Sequence, residues 1–277
     1  MSDSLELRIL GPLVVCKGDE SVRIGGLRER AVLARLALDA NRVVSVSRLI
    51  AAVWAGTPPR SARSQIAICV SRLRAALGER IGAAAADEQA IVTMSPGYLL
   101  RVAPERIDLH RFTELTGRAR DCPDRELAAG LLVRALALWR GTPFEGMCGL
   151  QAEAAALEEA RLEAAHAHVD LELELGHHDR VIMDLIPLVA EHPLRERSRA
   201  QLMLAQYRAG RRAESLRTYQ EARRHLVEQV GLEPGPELKR LHDQILRDAP
   251  TLMPAARGLR SRAYGQPGDL LVREHAS

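Results

Sequence analysis

Between residues 42 and 80 the sequence carries seven arginines and a single acid, Glu79. That local imbalance is the electrostatic footprint of a surface that meets a polyanion. The arginines are not scattered. Along residues 61 to 77, Ala62, Ile66, Val70, Leu73 and Leu77 recur at helical spacing and lie within about 40° of one direction at about 100° per residue. The opposite face presents Ser64, Ile68, Ser71 and Ala75, flanked by Gln65 and Arg72 on one side and by Arg63 and Arg74 on the other. Small polar residues between arginine shoulders suit the major groove of a DNA duplex. Gln65 can pair bidentately with adenine, Arg72 with guanine, and Ile68 can touch a thymine methyl, so Ser64, Gln65, Ile68, Ser71 and Arg72 are the candidate base-contacting residues. Arg60, Arg63 and Arg74 are better placed for phosphates. Taken alone, such a helix also fits an ordinary amphipathic surface helix with solvated arginines, so its neighbours must decide.

Other reactive side chains point nowhere in particular. Cys16, Cys69, Cys122 and Cys148 are too far apart for a CxxC pair or a zinc knuckle and read as small, reduced core residues. His166 and His168 are two residues apart and face different sides of a helix, and His177-His178-Asp179 falls at a turn, so neither group has metal-ligand spacing. The sequence contains no P-loop, GxGxxG, nucleophile elbow or HExxH motif. No enzyme activity, cofactor or metal is expected.

The elements that would position the arginine helix come into view on either side of it. Apolar stretches at residues 5 to 10, 13 to 15 and 22 to 24, broken by Gly11-Pro12 and Gly18-Asp19, predict three short antiparallel strands. Leu27, Ala31, Ala34 and Leu38 predict a buried helix over residues 27 to 40. After a β-like segment at residues 42 to 44, Ser45 or Ser47 can cap a helix running to about Trp54, and Gly56-Thr57-Pro58-Pro59 forces a turn before the arginine helix. Gly78 stops that helix. Residues 90 to 102 then form two strand-like runs around Ser95-Pro96-Gly97, a hairpin, whereas residues 80 to 89 read as a loop without function.

This order resembles an OmpR-type winged helix, and the likeness rests on Val70-Ser71-Arg72-Leu73-Arg74-Ala75-Ala76-Leu77 and Gly97-Tyr98. The resemblance implies that an arginine at the position of Arg72 reaches bases and that the hairpin tip enters the minor groove, which makes Ser95 and Tyr98 the wing candidates. Tyr98 fits a second role equally well, its ring in the core and its hydroxyl at the rim.

At 277 residues the chain exceeds the usual single domain, and its 47% hydrophobic but only 3% aromatic composition favours helical cores of Ala, Leu, Val and Ile. Cutting near Pro104 separates the charges: residues 1 to 104 hold 14 Lys+Arg against 9 Asp+Glu, and the remainder holds 25 against 27. Beyond the cut the pattern is helical over residues 107 to 120 and 125 to 140 and onward. Gly141, Gly176 and Gly210, separated by 35 and 34 residues, approach the tetratricopeptide period. The third copy is clearest, with helices before Gly210 and over residues 212 to 229. Stacked helix pairs leave a concave surface for a partner, although alanine-rich helices can also serve only as a dimerisation block. The expected fold is therefore mainly α with small β: a winged helix-turn-helix at residues 1 to 104, an all-α tetratricopeptide-like domain at 105 to 250, and a disordered tail at 251 to 277. With no leader pattern and no apolar run near 20 residues, the protein is expected in the cytoplasm without a membrane partner.

The two halves together resemble the Streptomyces antibiotic regulatory protein family, whose second half is the bacterial transcriptional activator domain. The match spans about residues 5 to 248. It is carried by Leu10-Gly11-Pro12-Leu13, Trp54 with Pro58-Pro59, the stretch from Val70 to Leu77, Gly97-Tyr98, Ile107-Asp108 with Phe112, and Leu232-Glu233-Pro234-Gly235-Pro236-Glu237-Leu238. The resemblance implies binding of two protomers, a homodimer on DNA, to direct repeats near a promoter −35 element. It further implies recruitment of RNA polymerase through the sigma factor and other subunits, at a secondary-metabolite gene cluster, by a small member lacking the ATPase module of larger relatives. Ile68-Cys69 stands where an aromatic residue is common, a departure from the family pattern on the candidate base-contacting helix. A helical-repeat adaptor without specific DNA binding is the competing reading, and the sign of regulation, activation or repression, is not in the residues.

Overall fold

The computed structural model describes residues 5 to 18, 20 to 78 and 90 to 253. Among the described residues the chain is mainly helical with two small sheets. The first sheet pairs β1 (Leu5–Arg8), β2 (Val14–Lys17) and β3 (Glu20–Ser21) in that order, antiparallel. The third strand sits earlier than the expected 22 to 24, because the turn at Gly18 is tight enough to pair Glu20 with Lys17 at once; Val22 still donates to Val15 at 2.8 Å.

Three helices follow: α1 (Leu27–Leu38), α2 (Val46–Trp54) and α3 (Ala62–Ala76). Ser45 caps α2, its hydroxyl accepting from the Arg48 N–H at 3.3 Å. Between α1 and α2 lies β4 (Val44–Ser45), which joins β6 (Gly97–Leu100) and β5 (Ile91–Met94) in a second sheet of order β4-β6-β5. That sheet leaves no room at Gly97, where an added Cβ would lie 1.9 Å from the Val44 carbonyl oxygen. The loop expected at residues 80 to 89 falls outside the described residues.

Helices α4 (Asp108–Asp121), α5 (Arg125–Leu136), α6 (Gln151–Leu175), α7 (His178–Glu191), α8 (Glu196–Arg208), α9 (Arg212–Val230) and α10 (Pro236–Leu246) follow among the described residues. Gly176 (φ +90°) joins α6 to α7 and Gly210 (φ +77°) joins α8 to α9, left-handed turns that glycine makes without strain. Gly141 does not join a helix pair. The first pair, α4 and α5, turns instead at Cys122 to Asp124, with Asp124 accepting from the Leu127 N–H at 3.1 Å, while Gly141 opens a loop that lies against Pro12. Helix α10, not foreseen from periodicity, closes the stack by burying Leu238 and Ile245 against Met203 and Ala222. Of the expected disordered tail, residues 254 to 277 lie outside the described residues, but Pro250–Leu252 form a 3-10 turn whose Leu252 packs into this last cluster.

One hydrophobic core runs through both parts of the chain, from Leu7, Ile9 and Leu33 through Ile107 to Phe112, Leu131, Leu150 and Leu157. Separate small clusters hold the later helices. Of the cysteines only Cys69 is buried; Cys16 and Cys122 are half-buried and Cys148 is exposed, so core filling describes one of the four. Cys148 opens the Cys148–Leu150 turn, which lies against α2, and is itself exposed.

His166 and His168 both lie inside the helical stack, and burial pushes each below the usual 6.5. The neutral rings are thus favoured in the folded chain, so stability should be full above about pH 6.5 and decline as the pH falls through the lowered folded values. Thermal midpoints are expected to hold at about pH 7 to 8 and drop toward about pH 5. His168→Leu is expected to flatten the drop, because the His168 Nδ1 is buried without a partner; an equal slope in that variant would count against the assignment.

Candidate nucleic-acid interface

Helix α3 buries Ala62, Ile66, Cys69, Val70 and Leu73 against α1 and α2 and turns its other side to solvent. Ser64, Ile68, Ser71 and Arg72 are exposed, Ile68 at 51% and the Arg72 side chain at 70%, while Gln65 is half-buried at the shoulder. Ile68 is the one large apolar side chain of α3 held half in water, while Ile66, Val70 and Leu73 are buried. Arg60 and Arg63 are exposed as well, and neither forms an ion pair or side-chain hydrogen bond among the described residues. The described part of α3 carries no acid in its first turn.

Two of the predicted base-contacting side chains are held by the start of α1. Arg72 donates to Glu29 at 2.9 Å across 43 residues of sequence. Glu29 is 7% exposed; burial disfavours its charge, yet the Arg72 hydrogen bond and the charges of Arg72 and Arg28 hold it below the usual carboxylate range. Arg28 lies over the Trp54 ring at 5.6 Å and donates to the Gln65 side chain at 2.6 Å, and Gln65 in turn donates to Ser61 at 2.9 Å. The pair Arg28-Glu29 escaped the sequence reading. Its one available signal is an acid placed beside the apolar stripe of a helix in a basic segment.

Arg74 takes a different place from the phosphate-facing one expected of it. Its guanidinium reaches the first strand of the hairpin, donating to the Ile91 carbonyl at 2.8 and 2.9 Å and to the Thr93 hydroxyl at 2.9 Å. The residue therefore braces the hairpin against α3. Ser95 is exposed at the hairpin tip, next to the exposed Met94 and Pro96. Tyr98 is half-buried in β6, opposite Val44 and Thr93, and packs on the core, so of its two readings the described contacts are those of the structural one.

Behind this surface the helical part is joined to the winged helix by buried polar bonds. Asp108, 3% exposed at the start of α4, accepts from the Ile9 N–H at 2.8 Å and the Leu10 N–H at 3.0 Å, and Arg140 approaches it at 3.4 Å. Burial pushes the Asp108 carboxyl above its usual range against the pull of these donors. Arg140 also donates its backbone N–H to Leu10 at 2.9 Å and its guanidinium to Pro12 at 3.1 Å. On the other side of the joint, the buried Arg35 of α1 bonds Glu153 of α6 and Asp39, each at 2.6 Å. Among the described residues no three His, Cys, Asp or Glu side chains gather in a metal-binding group, and no helix is long and apolar enough to cross a membrane.

Comparison with known proteins matches residues 23–100 to the family described as "Transcriptional regulatory protein, C terminal" and residues 107–246 to "Bacterial transcriptional activator domain". The regulatory protein DnrI of Streptomyces peucetius is 33% identical over 254 residues, 89% of this chain and 93% of that protein. The chain belongs to the Streptomyces antibiotic regulatory protein family. Family members of this kind are transcriptional regulators, not enzymes. A second relative, the regulatory protein AfsR of Streptomyces griseus, is 37% identical over 251 residues, 89% of this chain and 25% of that protein, so the chain spans about a quarter of its length. In structure it is similar to Mycobacterium tuberculosis EmbR in complex with a low-affinity phosphopeptide, with a TM-score of 0.80 at 33% identity over 91% of this chain and 66% of that one. The motifs that carried the family resemblance have physical roles in the fold: Leu10-Gly11-Pro12 and Ile107-Asp108 meet at the joint.

Proposed function

We propose that this protein of the Streptomyces antibiotic regulatory protein family is a cytoplasmic, sequence-specific DNA-binding transcriptional activator. Helix α3 enters the major groove, where Arg72 and Gln65 choose the sequence with Ser64, Ile68 and Ser71 against the base edges. Arg60 and Arg63 contact phosphates, Arg74 holds the hairpin in place, and Ser95 at the hairpin tip, with Tyr98 behind it, reaches the minor groove. Two protomers bind side by side as a homodimer on direct repeats near a −35 element, and the helical part recruits RNA polymerase through its sigma factor and other subunits. The regulated genes are a secondary-metabolite cluster. The observation that carries the reading is the outward face of α3, exposed, free of acids and bearing an unburied isoleucine between arginines.

Gel-shift titrations on a promoter fragment with direct repeats, at several salt concentrations, test it. Arg72→Ala is expected to weaken cognate binding by about 1–3 kcal/mol and to relax specificity at its base pair, while Arg63→Ala weakens all duplexes alike and lowers the salt slope by about one. Equal, weak binding to every fragment by the wild-type chain would favour an adaptor and sink the assignment.

A further inference from the structure

A cavity in the helical part, away from the DNA-facing surface, holds a charge that the fold leaves almost without partners. It lies between α7, α8 and α9 and has a volume of about 390 Å³, within the range of small-ligand sites. Ile186, Val189 and Leu202 give it an apolar wall, and Arg199, Arg217 and His225 line it on the polar side. Arg199 is only 4% exposed, yet no carboxylate lies within hydrogen-bonding distance of its guanidinium: Glu221 stands 3.9 Å away and is itself half in water. One nitrogen reaches the Pro193 carbonyl at a long 3.4 Å, and Nε is buried with no partner.

The remaining contact is with His225, whose ring nitrogen is already engaged elsewhere. His225 Nδ1 lies 3.4 Å from Arg199 but 2.7 Å from the Glu221 backbone oxygen, which can only accept. Nδ1 therefore carries the proton and has no lone pair to offer a guanidinium. A buried cation in this condition is costly, because its desolvation is offset only by the half-exposed Glu221 at 3.9 Å. Arg217, on the same cavity, is exposed and makes no ion pair or side-chain hydrogen bond among the described residues. Glu214 and Glu221 stand at the rim on α9, and both are exposed enough to swing aside.

We propose that this cavity binds a small organic carboxylate, its anionic group paired with Arg199 and Arg217 and its apolar body against Ile186, Val189 and Leu202. A planar guanidinium takes a carboxylate in two parallel hydrogen bonds, the geometry that would complete Arg199. The site is independent of the DNA reading: it stands whether or not α3 enters a groove.

Titration calorimetry and thermal unfolding of the full chain with benzoate, octanoate and sulfate test the proposal. Benzoate or octanoate is expected to bind saturably and raise the thermal midpoint, with sulfate weaker because it has the charge and lacks the apolar body. Arg199→Met, which keeps the volume and removes the charge, is expected to unfold at the wild-type temperature or above and to lose about ten- to hundredfold in affinity. Arg217→Ala, on the exposed rim, is expected to weaken binding without moving the unliganded midpoint. The proposal is overturned if neither organic acid binds, if sulfate binds as well as they do, or if affinity survives in both variants. A large loss of stability in unliganded Arg199→Met also overturns it, since that would mean the guanidinium is already well paired.

Discussion

Asp108→Ala is expected to lower the unfolding free energy by about 2–5 kcal/mol, among the largest effects of any single replacement in the chain. Its carboxylate accepts from Ile9 and Leu10, residues that are fully buried, and alanine would leave both N–H groups without a partner and out of reach of water. Each orphaned donor costs about 1–3 kcal/mol, and Arg140, partly exposed, adds less. Asp108→Asn keeps one acceptor and should fall between. Because one core spans the winged helix and the first helices behind it, the wild-type chain is expected to lose these parts together, whereas the variant should release the strand β1 early. Denaturant titration with hydrogen exchange at Leu7, Ile9 and Leu10 reads both effects; an unchanged midpoint in Asp108→Ala would show that the joint is held by apolar packing alone.

The second large effect is expected at Gly149, where a side chain would collide with the winged helix. An added Cβ would lie 2.2 Å from the Ala51 carbonyl oxygen and 2.4 Å from that of Ala52, both backbone atoms of α2 that cannot swing away. Gly149→Ala therefore has to move the Cys148–Leu150 turn off α2, at a cost of about 1–3 kcal/mol or more. Gly130→Ala serves as the control, since Gly130 is exposed within α5 with no atom near its added Cβ, and there the change should stabilise by a few tenths to about 1 kcal/mol. Equal thermal midpoints for the two variants would mean that α2 and the turn are not in firm contact. In DNA titrations Gly149→Ala is expected to keep base preference, because α3 and its arginines are untouched, while the helical part loses its set position relative to the duplex.

Local pattern made much of this architecture readable. The stripe of Ile66, Val70 and Leu73 defines the buried side of α3, and the face left over is the exposed one that carries Ser64, Ile68, Ser71 and Arg72. Ser45, Gly176 and Gly210 mark helix ends because capping and left-handed turns are properties of single residues. Gly141 misled for the same reason: its spacing matches the repeat, but it opens a loop beside Pro12 and joins no helix pair.

What the residues determined unaided is therefore most of the elements, α10 excepted, their apolar faces and the basic character of one of them, since each follows from interactions within a few residues of chain. Tertiary packing alone decided the partners: Glu29 for Arg72 across 43 positions, Ile91 for Arg74, Asp108 for Ile9 across 99, and a nearly solitary Arg199. In a chain with 39 basic and 36 acidic residues many pairings are equally possible on paper. Only the docking of stiff helices brings particular atoms within about 3 Å and shuts water out, and those two conditions give a polar contact its energy.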